Sequence, residues 1–518
     1  MTPSSRRKPR NWPQSLKKIS AITLINSITS LITGADFAVK ILLLDPPHQI
    51  FAALRMWMPS PGLMALGAYV EQSGHKIEII DSTTLERPWT DLEERLRRGN
   101  YDVVGVTCQA ATFHKDAIHA VRLVRRTLPE VTIIGGGGHF TLNYEVMFRQ
   151  APEVDFIIMG EGEETLVELL NSLPGGRDGC RVAGVAYKKE GKIVCNAARP
   201  LIADLDTLPM PGYHLMDLDN PTYYLHGMGR RAVGISTSRG CGDHCSYCSE
   251  SQLWQANWRG RSGAMVVKEM EMLHERYNKS LFVFNENSFN QNRKRNEDFL
   301  ECLGRSNLTC DFWFQSRIKD ILRDRDLLAD YKKLGLYEVM LGVESISPET
   351  LKNYTKNQNV EQIREAAELL RSHGIMVMTN VMFGDVNDTE ETLKTIYKFA
   401  ADIGDFLVMT LTTPLPGTRY YDQAEADGRI EERDFSKYDF MHPVIRNNAY
   451  SPAEILALQK KYLKKYYTRP SIFWKMFFSP NKFIRMAYKL IMRYAYYEAR
   501  QMEWRQANFQ EVPPEIKL

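Results

Sequence analysis

The sequence predicts an α/β protein built as a doubly wound parallel sheet followed by an incomplete (β/α)6 barrel, with a helical region at the carboxyl end. Three observations carry that expectation. Five strand-like apolar runs alternate with helical stretches between residues 39 and 170, and six more alternate between 232 and 411. The chain of 518 residues is also too long for one hydrophobic core, since single cores stop growing near about 250 to 300 residues. The expected division is a leader over 1–38, a first α/β domain over 39–174, a hairpin and linker over 175–230, a barrel core over 231–425 and a helical region over 426–518.

Composition narrows the class. With 44% hydrophobic and 25% charged residues the chain has the make-up of an ordinary globular protein, and a formal charge of +3 names no nucleic acid as a partner. Of eight cysteines only Cys241, Cys245 and Cys248 are clustered, which is no disulfide framework and points to a reducing, cytoplasmic compartment. In the leader, Arg6, Arg7, Lys8, Arg10, Lys17 and Lys18 precede a moderately apolar run over 19–33. Asn26, Ser27, Thr29 and Ser30 interrupt that run, no small-residue cleavage site follows, and it is too short to span a bilayer. It reads as a leading helix or a surface-associated segment.

The first domain opens with a strand over 39–44 ending in Asp45-Pro46-Pro47, then a helix over 62–72 that stops at Gly74. A strand over 75–80, a charged amphipathic helix over 90–98, a strand over 103–107 and a helix over 115–127 follow. The fourth strand, 131–134, runs into Gly135-Gly136-Gly137-Gly138; the fifth, 156–159, runs into Gly160-Glu161-Gly162-Glu163-Glu164 and a helix over 165–170. Ligands of doubly wound sheets bind beyond the carboxyl ends of the strands, and glycine lets the backbone approach them closely. Pro47, Thr107, Gly135, Gly136, Gly137 and Glu161 are therefore candidate pocket edges, with tight turns as the alternative reading of the glycines.

Residues 184–187 and 192–195 flank Glu190-Gly191 as a hairpin, and 205–211 carries the chain to its second unit. There the candidate strands are 232–236, 280–284, 312–315, 338–341, 376–382 and 406–411, with helices such as 264–277 and 360–372 between them. A barrel of this kind places its site at the carboxyl ends of the strands.

Just beyond the first of these strands lies the most informative stretch, Cys241-Gly242-Asp243-His244-Cys245-Ser246-Tyr247-Cys248. Three cysteines at CxxxCxxC spacing on one glycine-flanked loop can converge three thiolates on one small object. A [4Fe-4S] cluster has four irons, so three thiolate ligands leave one iron open to bind a small molecule. The competing readings are a structural zinc site, which recruits a fourth Cys or His, and cysteines that are merely buried.

The loop resembles the signature of the radical S-adenosylmethionine (SAM) enzymes, and the resemblance covers roughly residues 232–421. It implies that Cys241, Cys245 and Cys248 hold a [4Fe-4S] cluster whose open iron chelates SAM, and that SAM is cleaved to a 5'-deoxyadenosyl radical. Upstream, the ordered set Pro46-Pro47, residues 74–81 (GHKIEIID), residues 135–139 (GGGGH) and residues 160–164 (GEGEE) is similar to the Rossmann-like cobalamin-binding domain found in front of many radical SAM cores. The DxHxxG motif that supplies a cobalt-binding histidine elsewhere is absent, so the resemblance implies cobalamin held without such a ligand. His48, His114 and His139 read as ordinary polar loop residues.

The radical SAM resemblance also implies roles at the strand ends. Glu286, in Asn285-Glu286-Asn287, would pair with the SAM ammonium, although the family more often shows Gly-Gly-Glu or paired aspartates there; Asn287 lies beside it. Arg317, after Gln315-Ser316, would pair with the SAM carboxylate, Glu344 in Gly342-Val343-Glu344-Ser345 would lie near the ribose hydroxyls, and Asn380 and Gly384 fall near the fifth strand's end. The plainer alternatives are polar loop residues and helix caps, including helix starts at Ser347-Pro348-Glu349 and at residues 387–391.

In the tail, Trp474, Phe477, Phe478, Phe483, Met486, Leu490, Ile491, Tyr494 and Tyr497 interleave with Lys475, Lys482, Arg485, Lys489, Arg493 and Arg500. That pattern suits a helix packed on the core with a solvated basic face, a membrane surface, or a large apolar substrate. Residues 435–440 (FSKYDF) are similar to the branch of the anaerobic magnesium-protoporphyrin monomethyl ester cyclases.

Together these resemblances imply a cobalamin-dependent radical SAM enzyme that methylates an unactivated carbon of an apolar or large small-molecule substrate. One SAM would make the radical and another would remethylate cobalt, with an electron donor such as flavodoxin or ferredoxin and with peripheral membrane contact as a further partner. An oxygen-independent oxidative cyclase is the second reading, and a non-catalytic cobalamin sensor or carrier the third.

Overall fold

The computed structural model describes residues 38–48, 58–85, 88–175, 181–220, 223, 231–485 and 488–489. The leader up to residue 37, Cys180, and the tail residues Met486, Leu490, Ile491, Arg493, Tyr494, Tyr497 and Arg500 lie outside the described residues.

Seven strands make the first sheet: β1 (Lys40–Asp45), β2 (Lys76–Asp81), β3 (Val103–Thr107), β4 (Thr132–Gly136), β5 (Phe156–Ile158), β6 (Val185–Lys189) and β7 (Lys192–Cys195). Their order is β2-β1-β3-β4-β5-β6-β7. The first five are parallel, and the strand order reverses between β1 and β3, which opens a crevice at the carboxyl ends. The hairpin expected in the linker is the far edge of this sheet, with β6 antiparallel to β5 and Phe156 opposite Tyr187.

Period-two alternation sends the apolar side chains of one strand to both faces, which explains the continuous hydrophobic runs. Ile41 and Leu43 pack under the helices Pro61–Gln72 and Glu163–Ser172, against Leu63, Val70, Leu166 and Leu170. Leu42 and Leu44 pack under Pro88–Arg98 and His114–Thr127, against Leu92, Leu96, Val121 and Val124. Each such fully buried aliphatic side chain contributes about 1.5 to 3 kcal/mol.

The second unit begins with β8 (Ala232–Ile235), β9 (Ser238–Arg239) and β10 (Arg259–Gly260), and continues with β11 (Leu281–Phe284), β12 (Asp311–Ser316), β13 (Leu336–Glu344), β14 (Met376–Phe383) and β15 (Phe406–Leu411). Six of them form an all-parallel sheet in the order β15-β14-β13-β12-β11-β8, while β9 and β10 form a small antiparallel pair. Each of the six lies where the alternation places a strand. Phe284, Phe312 and Phe314 face outward into an aromatic cluster with Phe289 and Phe299, under the helices Gly263–Tyr277 and Arg293–Arg305.

The free edge of β15 is covered rather than exposed. The helix Pro452–Tyr467 lies along it, with Gln459 Nε2 donating to the Met409 carbonyl at 2.8 Å and Tyr467 Oη to the Leu407 carbonyl at 2.7 Å. Side chains thus satisfy carbonyls that another strand would otherwise seek. Two of the polar clusters flagged near the strand ends are helix starts: Ser347 caps Pro348–Asn353, and Thr389 caps Glu390–Ile403 with a reciprocal bond to Thr392. Among the described residues no helix is long and apolar enough to cross a membrane.

Candidate active site at the carboxyl ends of the two sheets

The cysteine loop leaves β9 through Gly240, whose φ is +82° and where a Cβ would lie 2.2 Å from the Asn257 carbonyl oxygen, so only glycine turns the chain here. Several anchors then hold the loop. Gly242 N–H donates to Gln291 Oε1 at 2.9 Å, Ser246 N–H to the Tyr354 carbonyl at 3.0 Å and Ser246 Oγ to the Asn353 carbonyl at 2.8 Å. Ser251 Oγ donates to the carbonyls of Cys245 and Cys248 at 3.2 and 2.9 Å, and Arg419 reaches the His244 carbonyl.

All three thiols are free, Cys245 buried and the other two half-buried. Burial pushes the Cys248 thiol up to about 12 and raises Cys245 as well. Such a thiol ionises near neutrality only when a cation takes its sulfur. Among the described residues no three His, Cys, Asp or Glu side chains converge as ligands of a single ion would.

A cavity of about 390 Å³ separates the carboxyl ends of the two sheets. Thr107, the run from Gly135 to Gly138 and the turn from Gly160 to Glu163 line one side. Arg239, Gly240, Leu253, Trp254 and Asn285-Glu286-Asn287 line the other. At Gly136 and Gly160 an added Cβ would meet nothing within 4 Å, so bare backbone forms part of the floor. Gly137 differs: its φ of +97° and a Cβ position 2.7 Å from the Cys108 carbonyl oxygen make it a crossing of tight backbone. Leu63, Leu66, Ile134, Ile158 and Leu166 give the cavity apolar walls, and among the described residues no histidine lines it. Open backbone at Gly136 and Gly160 together with these apolar walls fits a bulky, flat group such as cobalamin.

The histidines singled out in the sequence are not loop residues in solvent but buried and engaged with protein. His48 bonds Asp45 at 3.0 Å; burial alone would lower it, but Asp45 and Asp116 stabilise its charge and together lift it to about 9. His114 Nδ1 and His139 Nε2 lie 2.9 Å apart, and burial pushes His139 down to about 3.

Glu161 lines the cavity yet spends its carboxylate on the seam between the sheets. It takes Arg239 Nη1 at 2.6 Å, Arg259 Nη1 at 2.9 Å and the Ile202 N–H at 2.7 Å, while Arg239 also reaches Glu163. Since β9 and β10 pair Arg239 with Arg259, two guanidinium groups at the root of the cysteine loop hold the turn after β5.

The chain after β11 zigzags. Asn285 and Asn287 are exposed to the cavity, whereas Glu286 is buried and accepts bonds from Thr237 Oγ1 and Thr237 N–H, the latter at 3.2 Å. Burial raises the Glu286 carboxyl above its ordinary range. Arg295 stacks over the Phe289 ring at 4.2 Å and lends Glu286 its charge.

The other predicted positions fall elsewhere. Arg317 braces the cysteine loop through Asp243 at 2.9 Å and bonds Asp320; Lys319 also takes Asp243. Glu344 sits in a bulge of β13 at φ +59°, paired with Lys356 at 2.8 Å and within 3.5 Å of Asn380 Nδ2. Burial would discharge Lys356, but the Glu344 carboxylate and the Cys245 and Cys248 thiols outweigh it and raise its pKa. Pro47 is buried after β1, outside the cavity lining. The site therefore has two lobes, the cavity with Thr107, the glycine turns, Glu161, Glu286 and Asn287, and a charged lobe with Glu344, Lys356 and Asn380 beside the cysteines.

Sequence reasoning did not single out Thr237, Arg239, Arg259, Arg295 or Lys356. The repeated Arg-Gly pairs at 239–240 and 259–260 were the available signal for two of them.

Residues 47–170 match the family described as B12 binding domain, and residues 235–400 the Radical SAM superfamily. An uncharacterized methyltransferase of Pyrococcus horikoshii is 29% identical, over 89% of this chain and 99% of that protein. The anaerobic magnesium-protoporphyrin IX monomethyl ester cyclase of Synechocystis sp. is 30% identical, over 86% of this chain and 88% of that protein. The cobalamin-dependent SAM radical enzyme OxsB, solved with aqua-cobalamin and SAM bound, shares the fold at a TM-score of 0.70 and 16% identity, over 89% of this chain and 72% of that one. This chain belongs to the family of cobalamin-binding radical SAM enzymes, with a [4Fe-4S] cluster, SAM and cobalamin as its cofactors.

Proposed function

We propose that this enzyme transfers a methyl group from SAM to an unactivated carbon of an apolar or large small-molecule substrate. One observation supports this most: a single cavity is bounded by the glycine turns of the first sheet on one side and by Ser236, Ser238, Arg239, Gly240 and residues 285–287, beside the cysteine loop, on the other. When bound, the cluster with SAM supplies hydrogen-atom abstraction, and cobalamin supplies a transferable methyl group.

The protein's part is placement. Cys241, Cys245 and Cys248 hold the cluster on a loop fixed by Gln291, Tyr354 and Arg419. Asn285 and Asn287 offer uncharged donors and acceptors to SAM from the cavity wall, with Glu286 setting their direction through Thr237. Lys356 and Glu344 offer a compensated pair of charges on the other side of the loop. Gly136 and Gly160 leave room for the corrin.

The substrate class has its own support. Beyond the lower rim of Asp311 and Glu338, the partly exposed residues of β12 to β15, Trp313, Gln315, Met340, Met378, Val408 and Thr410 among them, alternate with outward-facing core and carry no charge. A chamber of this kind accepts an apolar body and orients it with a few amide and hydroxyl groups. The exposed tip at Gly242 and His244 gives a flavodoxin- or ferredoxin-type donor a short route to the cluster. Peripheral membrane contact belongs to the same proposal.

The second reading, oxidative cyclisation without oxygen, is favoured by the 30% identity to the Synechocystis cyclase. Methyl-labelled SAM separates the two. Label in the product supports transfer, while unlabelled product carrying oxygen from water overturns it.

A further inference from the structure

The helix Pro470–Phe478 buries Ile472 and Met476 and turns four aromatic side chains outward. Phe473, Trp474, Phe477 and Phe478 are 42, 64, 58 and 63% exposed, and among the described residues the other exposed large hydrophobics are Phe440 and Met441. Spacings of one, four and five residues put the four on one helical face, and the Trp474 and Phe478 rings lie 4.4 Å apart. Lys475, between them, is held back by Asp405 at 3.1 Å, which fixes the helix against the foot of β15.

The surrounding chain has one sign of charge. From residue 455 to 497 the sequence contains ten Lys and Arg and no Asp or Glu. Lys460, Lys464, Lys465, Lys482 and Lys489 are exposed, and Asp405, Glu390 and Asp311 each already face one lysine of this stretch. Contiguous exposed apolar surface of this kind marks an interaction site. A second copy of the same face would bring like charges together, which argues against self-association. Exposed aromatic rings on a helix flanked along the chain by exposed lysines complement an anionic interface whose interior is apolar.

We propose that the aromatic face of Pro470–Phe478 and the exposed lysines that flank it along the chain dock on the surface of an anionic lipid bilayer, the rings entering the acyl boundary and the ammonium groups meeting the headgroups. This extends the membrane contact proposed above by naming the surface. Lipid binding is read without turnover, so its failure leaves the cofactor reading intact.

The test uses the full chain, loaded with its cluster, in co-sedimentation with phosphatidylcholine vesicles with and without about one-third phosphatidylserine. The expected result is binding to the anionic vesicles alone, weakened as salt rises from about 0.1 M to 1 M. Trp474→Ala and Phe478→Ala should each lower the partition by about tenfold, while Phe440→Ala, an exposed aromatic outside this helix, leaves it unchanged. Circular dichroism and cluster absorbance establish that the variants are folded. Equal binding by wild type and by the Trp474→Ala, Phe478→Ala double variant overturns the proposal. So does a solution dimer that this double variant abolishes, or Trp474 already shielded from an aqueous quencher before lipid is added.

Discussion

Arg239 and Glu161 meet at 2.6 Å across the seam between the two sheets, one at the root of the cysteine loop and the other in the turn after β5. Glu161 also holds Arg259, whose side chain is buried. The cavity's two walls are thereby fixed relative to each other by a shared carboxylate rather than by apolar contact alone. Removing one partner of a buried pair strands the other charge, which costs about 3 to 5 kcal/mol. Glu161→Gln is expected to lower unfolding free energy by that order and to weaken cobalamin retention, measured by denaturant titration and by visible absorbance after gel filtration.

The glycine floor makes a paired prediction. Gly136→Leu places a side chain in open space, so the protein should fold, keep its iron and lose cobalamin. Gly137→Ala meets the Cys108 carbonyl and a left-handed backbone, so it should lower stability by about 1 to 3 kcal/mol. Melting temperature and bound corrin, measured on both variants, separate filling of a site from damage to the fold.

Lys356 and Glu344 are expected to behave as one unit. Lys356→Met leaves the Glu344 carboxylate uncompensated and should cost about 3 to 5 kcal/mol, with poorer cluster assembly. The double variant with Glu344→Gln should recover most of the stability but not the wild-type cluster signal. Additive losses in the double-mutant cycle would mean that the two side chains do not depend on each other.

Stability should fall on the acid side. His139 titrates near 3 in the fold, below the ordinary value of about 6.5 that it regains on unfolding. Its contribution is therefore present above about 6.5 and is lost as pH falls toward 3, roughly 2 kcal/mol by pH 5. His48, lifted to about 9, works in the opposite window: its contribution is complete below about 6.5 and fades as pH rises toward 9. Urea unfolding at pH 7 and pH 5, for wild type and His139→Asn, should show the loss in wild type and a flatter response in the variant.

Much of this architecture could be read before the fold was seen, and the reason is burial on both faces. Parallel strands such as β3, buried at all five positions, read as near-continuous apolar runs, here broken only by Thr107 at its carboxyl end. The cysteine loop was legible because three thiols on a short turn leave a fixed spacing. What escaped is what depends on direction or on long-range pairing. Two-residue strands such as β9 and β10 have no period to detect, so the only trace of the Arg239 and Arg259 clamp in the sequence is the repeated Arg-Gly pair. Glu286 sits where an acid was expected, yet the zigzag after β11 turns it inward toward Thr237 and leaves Asn285 and Asn287 facing the cavity. Lys356 belongs to no motif, and Arg317 spends its charge on Asp243 because the cysteine loop folds back over it.

The most direct test is anaerobic reconstitution of the full chain with iron and sulfide, followed by reduction in the presence of SAM. The protein should turn brown, give a reduced-cluster electron paramagnetic resonance signal that changes when SAM is added, and release 5'-deoxyadenosine; Cys241→Ala, Cys245→Ala and Cys248→Ala should each abolish that release. A colourless protein that takes up zinc at these cysteines and leaves SAM intact would contradict the account.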